Sequence, residues 1–427
     1  MSSLLFETGS PDAGLSGEDM RQGLHAALDS LGERTHVCVI PPDITRYHSR
    51  AGELTRYAYE YYGERLTDVL PALGTHTPMS DAEWSRMFGD VPRHLARPHD
   101  WRHGITTLGD VPGSYVRDVS EGCVDYAWPA QIDRLLVEQK FDLILSIGQI
   151  VPHEVAGMAN FNKNIFVGTG GVEGINKSHY LGAAYGMERI MGRADNPVRR
   201  VLNYAENRFA SHLPIVYVHT VLSPDTHNSL TTRGLFIGPD VTCFHRAAAL
   251  SEQVNIEKLP DPLAKVVVYL DPDEYRSTWL GNKAIYRTRM AIADGGELIV
   301  LAPGVAHFGE DEEIDRLIRK YGYRGTPYVQ DAVARNEELQ NNLSAAAHLI
   351  HGSSEDRFSI TYCPGGCSRE EIESVNYRYA PVDEMLQRYA PTTLQPGYNT
   401  LPDGEEIYFI SNPGLGLWTH EKKFSLS

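Results

Sequence analysis

Cysteine is scarce in this chain: five among 427 residues, scattered and odd in number. That excludes the disulfide framework of a small secreted scaffold. Cys363 and Cys367, in CPGGC, lie close together, but without a second pair they read as a turn with incidental thiols rather than a zinc site. Long apolar runs are missing as well, and none approaches the roughly 18 residues that a membrane span needs. The start, MSSLLFETGSPDAG, has neither a basic head nor a long apolar core, so no signal peptide is expected and the cytoplasm is the expected setting. Basic residues are outnumbered, 39 Lys and Arg against 56 Asp and Glu, for a net charge of −17. A field of that sign argues against nucleic acid or an anionic membrane as partner. An anionic small molecule would have to be met by a local basic pocket. There is no HExxH, no Walker A loop, no dinucleotide fingerprint and no repeat at a fixed period.

What is there is an ordinary globular composition, 42% hydrophobic and 22% charged, on a chain long enough for two or three cores. A weak helical period runs from Asp19 to Leu31, THVCVIPPD reads as a buried strand meeting a turn, and Gly52 to Leu70 reads as one helix ended by Pro71. Met79 to Gly104 is loop-rich, Ile132 to Gln139 reads as a helix and FDLILSIG as a strand, with further strands at Pro214 to Leu222 and Gly234 to Gly238. LPDPL near Pro260 to Pro262 suggests a boundary. Beyond it come a strand (Lys265 to Leu270), a helix (Thr278 to Ala293), a strand (Glu297 to Leu301) and a helix (Asp311 to Lys320). Helix is also expected at Glu337 to Ile350 and Pro381 to Arg388, and strand at Phe358 to Tyr362 and Ile407 to Ile410. That alternation marks βαβ units. The expected fold is α/β: two α/β domains with parallel or mixed sheets and a cleft between them. The first spans residues 1–260, with the tail 400–427 a candidate to rejoin it, and the second spans 261–399.

Chemistry concentrates between Ile147 and Tyr180, IGQIVPHEVAGMANFNKNIFVGTGGVEGINKSHY. His153 follows a proline directly behind a strand. Lys163 lies ten residues on, and can be an amine nucleophile or an anion ligand. His179 opens a helix; imidazole is a common metal ligand, but one histidine cannot hold a metal unaided. The glycines at 168, 170, 171 and 174 leave room for a generic phosphate cradle. Earlier, Asp43-x-Thr45-Arg46 sits at a strand's end, where it holds a phosphate or carboxylate, or else is a capped helix start with a surface arginine. His94, His99 and His103 crowd a loop with Trp101, and spacing singles out none of them.

Taken together in order, Asp43-x-Thr45-Arg46, His99-Asp100, VPHEVAG with Lys163, and INKSH ending at His179 resemble the nickel-pincer-nucleotide-dependent lactate racemase family of 2-hydroxyacid racemases and epimerases. The likeness extends more loosely over most of the chain, including Asn282-Lys283 and the APG turn at Pro303-Gly304. The resemblance implies a nickel-dependent isomerase. Its cofactor is a nickel pyridinium-3,5-bisthiocarboxylic acid mononucleotide, joined covalently to Lys163, with nickel completed by His179 and phosphate met by Asp43, Thr45 and Arg46. His99 and His153 would be the catalytic acid and base, Arg46 and Lys283 the carboxylate clamp. The partners implied are a small-molecule 2-hydroxyacid and the enzymes that make the cofactor. One departure stands out: family members usually carry Gly-Gly just before the lysine, where this chain has Asn160-Phe161-Asn162.

A polar set at Arg335, Asn336, Gln340, Asn341, Asn342, His348 and His351 leans the expected substrate towards aldonates such as gluconate or mannonate, with lactate-like acids next; the set also reads as a solvated helix face. Two other classes remain open: a nickel-independent lyase or dehydratase using His99 and His153, and a non-catalytic cofactor-binding homologue.

Overall fold

A computed structural model describes residues 4–224, 229–414 and 416–426. Within it the chain forms two α/β units, residues 1–181 with 190–255, and residues 182–189 with 256–427.

The first unit is built on a six-stranded sheet in the order Phe6–Gly9, Leu230–Gly238, Ile215–Pro224, Leu143–Gln149, Val37–Ile40, Leu66–Val69. Its last four strands run parallel and the first two pair antiparallel. Val37–Ile40 and Leu143–Gln149 are buried along their whole length, as parallel strands covered on both faces must be. The chain leaves Val37–Ile40 for one neighbour, Leu66–Val69, and returns later on the other side as Leu143–Gln149. That makes a switch point between two parallel strands, and the crevice beyond their carboxyl ends is where such sheets take ligands. Helices Gly17–Ser30 and Ala51–Tyr62 pack one face into a core around Leu24, Leu54, Val39 and Leu145.

The expected helix from Gly52 to Leu70 is cut in half. Gly63, at φ 55°, ends it after Tyr62, and LTDV continues as the edge strand of the sheet. Between Met79 and Gly104 the loop holds a helix, Asp81–Phe88, started by a capping box of Ser80 and Glu83. Ile132 to Gln139 is strand up to Asp133 and one helical turn, Leu135–Glu138, thereafter. The strand half pairs antiparallel with Ile105–Val111 in a hairpin that the sequence reading left out.

The second unit has its own six-stranded sheet, in the order Arg378–Tyr379, Ser359–Pro364, Ile292–Ala302, Leu263–Tyr269, Glu406–Ile410, Gly397–Thr400. All but the last strand are parallel. The tail belongs to the second unit: it supplies the strand Glu406–Ile410 of this sheet, and Leu417–His420 pairs with Ile256–Leu259 in the same unit. The expected helix Thr278 to Ala293 is two short pieces, Thr278–Gly281 and Lys283–Tyr286, followed by a strand that starts at Ile292. Among the described residues no helix is long and apolar enough to cross a membrane.

Candidate active site

Asp43 follows Val37–Ile40 and begins the 3-10 turn Ile44–Ser49, whose first N–H groups need a cap. Its Oδ1 accepts from the Thr45 N–H at 3.1 Å and from the Thr45 hydroxyl, and its Oδ2 lies 2.6 Å from His76 Nδ1. Burial pushes this carboxyl up, but His76, Thr45 and the nearby Arg46 guanidinium outweigh it, so Asp43 stays below the usual carboxylate range. Of the two readings of Asp43-x-Thr45-Arg46, the capped start is the one observed: Asp43 is the cap, Thr45 is exposed and Arg46 is half-buried beside it.

Lys163 leaves a tight turn and precedes one π-helical turn, Asn164–Gly168, closed by the Thr169 N–H on the Asn164 carbonyl at 3.0 Å. Such turns are frequent at functional sites. Burial brings the Lys163 amine down from 10.5 to about 8, with Glu154 pulling it up and Arg46 and Arg199 pushing it further down. An amine near 8 is a far better nucleophile at neutral pH than an ordinary lysine.

His179 projects from helix Val172–Tyr185, and its Nδ1 donates to the Ile175 carbonyl at 2.7 Å. That bond fixes the tautomer and leaves Nε2 with the lone pair, the arrangement of a metal-ligating imidazole. Burial holds its pKa below the ordinary histidine value, so the ring is neutral near pH 7. The helix is clamped by Trp128 of the hairpin, whose Nε1 donates to the Gly174 carbonyl at 3.1 Å and to Ser178 Oγ at 3.0 Å.

His153 is held the other way round. The Val155 N–H donates to its Nδ1 at 3.1 Å, so the neutral ring carries its hydrogen on Nε2. Burial depresses it well below the usual range; Glu154 opposes that, and Lys163, Arg46 and His179 add to it. Those mutual influences place Arg46, His153, Glu154, Lys163 and His179 in one electrostatic neighbourhood, with Asp43 acting on Lys163.

His99 is fully buried on other partners. Its Nδ1 is 2.7 Å from Asp133 Oδ2 and its Nε2 is 3.0 Å from the Gly170 carbonyl. It is not among the charges that act on His153, Lys163 or His179. Lys283 begins a short helix of the second unit, its Nζ 5.5 Å from the Tyr275 ring centroid. The glycine turn is used for close packing: a Cβ on Gly170 would sit 1.9 Å from the Phe166 carbonyl oxygen, and one on Gly171 2.4 Å from Gln131 Oε1. The polar set of the second unit is largely spent on its own helices. Asn336 and Gln340 donate to carbonyls of Ala332 and Val333, Asn342 caps Leu343–His351, and His348 and His351 are buried. Cys363 and Cys367 are buried free thiols, pushed up by burial to about 12 and about 11, which makes them poor metal ligands.

Sequence reading missed Glu154, Asp133, His76 and Arg199. Glu154 sits beside His153 in the same motif, whereas the other three join the site only through the fold. Among the described residues no group of three or more His, Cys, Asp or Glu is placed to hold a metal. A nickel ion here would need donors from an organic group, and the two protein groups at hand suit that: one neutral imidazole with its lone pair set, and one lowered amine.

Three comparisons bear on the chain. Residues 23–189 match the family model of the lactate racemase N-terminal domain. Among solved structures, a Thermotoga maritima protein matches with a TM-score of 0.79 at 22% identity, covering 96% of this chain and 99% of its own. The lactate racemase apoprotein from Thermoanaerobacterium thermosaccharolyticum matches with a TM-score of 0.70 at 17% identity, over 95% of this chain and 93% of that one. At those identities the likeness is one of fold. No curated protein gives a significant match.

Proposed function

We propose, from the match of residues 23–189 to the lactate racemase N-terminal domain, that this chain belongs to the lactate racemase family and inverts C2 of a 2-hydroxyacid with the help of a nickel-pincer nucleotide on Lys163. What carries the reading is the pairing of Lys163, its amine lowered to about 8, with His179, its Nδ1 tied to Ile175 and its Nε2 left as a ligand. Bound there, the group would supply nickel and a carbon that accepts a hydride from C2. The chain's own residues do the rest. Arg46 meets anionic oxygens of the cofactor phosphate or the substrate carboxylate, a task its fork suits. His153 presents Nε2–H as a hydrogen-bond donor to the C2 oxygen; to take the hydroxyl proton it would first have to move its hydrogen to Nδ1 and give up the Val155 bond. His99, oriented by Asp133, is the second proton carrier, and to reach substrate its Nε2 must leave the Gly170 carbonyl. Lys283, the other carboxylate candidate, lies in the second unit.

The polar side chains behind the aldonate lean are occupied with capping and burial, so gluconate or mannonate and lactate enter as equal first substrates. The partners are a small-molecule 2-hydroxyacid and the enzymes that make and load the cofactor.

The test is label transfer. With loaded enzyme and substrate deuterated at C2, inversion by hydride transfer keeps the deuterium in the product, whereas a proton-abstraction route loses it to water. Washout of the label at the rate of inversion would sink the proposal. A second reading draws on the Asp133–His99 pair, a carboxylate-oriented imidazole of the kind acid–base enzymes use: a nickel-independent lyase or dehydratase. Full turnover after nickel removal would favour it.

A further inference from the structure

Two successive residues before the lysine, Asn160 and Phe161, have φ of 59° and 58°. That is the left-handed region, where a bulky residue such as phenylalanine is a genuine outlier. Neither residue is exposed, and the surroundings explain how the pair is held. Phe161 is stacked on Phe244 with ring centroids 5.0 Å apart and planes at 18°, and Tyr217 packs on it at 4.4 Å. Asn160 lies over Gly148, where a Cβ would come within 2.9 Å of its side chain, and its Nδ2 donates to His219 Nδ1 at 3.0 Å. His219 is neutral enough to accept, because burial brings it down to about 3.

Beneath the turn sits Arg199, 1% exposed. Its guanidinium donates to the carbonyls of Met158 at 2.7 Å and Asn160 at 3.3 Å, and to Asn162 Oδ1 at 2.5 Å. Asn162 in turn donates to Asn203 Oδ1 at 2.7 Å and Glu206 Oε2 at 2.9 Å. A buried guanidinium spent on main-chain carbonyls before and within a strained pair, and on the side chain that follows it, is costly to keep for packing alone. Three anchors on residues 158, 160 and 162 leave the chain one exit direction into Lys163.

We propose that Asn160 and Phe161, held left-handed by Arg199 from below, form a preorganised arch that aims the Lys163 amine, with Arg199 as its positioning residue. The arch holds the geometry by buried contacts where glycine would adopt it freely. What the amine receives rests on the nickel-pincer reading above; the arch itself does not.

The test uses the full-length apo chain and N-hydroxysuccinimidyl acetate as probe. The amine attacks the ester carbonyl, an amide forms, and N-hydroxysuccinimide leaves while the amine proton goes to water. The rate at Lys163 is read by peptide mass against the exposed Lys140 in the same sample, with a melting curve for each variant. Asn160→Gly, which takes the same φ without strain, keeps the Lys163 rate within about threefold. Asn160→Val, which resists that φ, lowers it about tenfold, and Arg199→Met lowers it to a similar degree. Should Arg199→Met fail to fold, the glycine and valine variants still decide, because both retain Arg199. A folded valine variant labelled like the parent overturns the arch, and so does an equal loss in the glycine variant. Loading is then scored in cells that make the cofactor. A parent chain never loaded, with the labelling order intact, removes the cofactor reading and leaves the arch. Equal loading of all variants removes the arch and leaves the cofactor reading.

Discussion

Lys163 is where a single group carries a measurable cost. An unfolded lysine keeps its proton to about 10.5 and the folded one releases it near 8, so between those values the unfolded chain binds more protons and stability rises with pH. Below pH 8 the penalty for burying the charge is present in full. Lys163→Met should therefore stabilise the apo chain at pH 7 by up to about 3 kcal/mol, and the gain should fade as pH approaches 10.5. Urea titrations across that window check it; a gain that does not vary with pH would mean the amine is not depressed. Asp133 offers a second test at this scale. If His99 moves a proton during turnover, Asp133→Asn removes the carboxylate charge that orients the ring and stabilises its protonated form, and should lower kcat by about a hundredfold or more, with KM little changed.

Elements matter here through how closely they approach. Gly52 lies in helix Ala51–Tyr62, where a Cβ would come within 2.0 Å of the Met87 carbonyl oxygen. Helix propensity alone would favour Gly52→Ala by roughly 1 kcal/mol, but the clash should make the variant less stable, as a melting curve would show. Ser80→Ala should cost about 1 kcal/mol by removing the cap of Asp81–Phe88. That capping box, S-D-A-E, lies in a stretch that read as loop-rich, whereas the buried strands around Val37–Ile40 and Leu143–Gln149 were readable in the sequence. Their apolar runs state burial directly. The strand Leu66–Val69 was not legible, because its apolar residues also fit the helical period and only the break at Gly63 separates the two. The candidate site was named from the sequence where its motifs lie within the chain's own order, at Asp43, His153, Lys163 and His179. It was not legible where partners come from distant segments: Asp133 meets His99 across 34 residues and Arg199 meets Asn162 across 37. Nor did the letters Asn-Phe disclose a left-handed turn, since the side chains that impose it lie on other elements.

At the scale of the molecule, a first unit with a switch-point sheet gathers a lowered amine, a tautomer-fixed imidazole and an arginine in one electrostatic neighbourhood. Against the chain's overall negative charge, Arg46 and the protonated fraction of Lys163 are the cations this neighbourhood would offer an anionic ligand. The most direct measurement is the intact mass and nickel content of protein co-expressed with the cofactor-making enzymes. The account predicts added mass that maps to the Lys163 peptide, one nickel per chain, and loss of the nickel in His179→Ala. An unmodified, nickel-free chain, made beside a lactate racemase that loads normally, would contradict it.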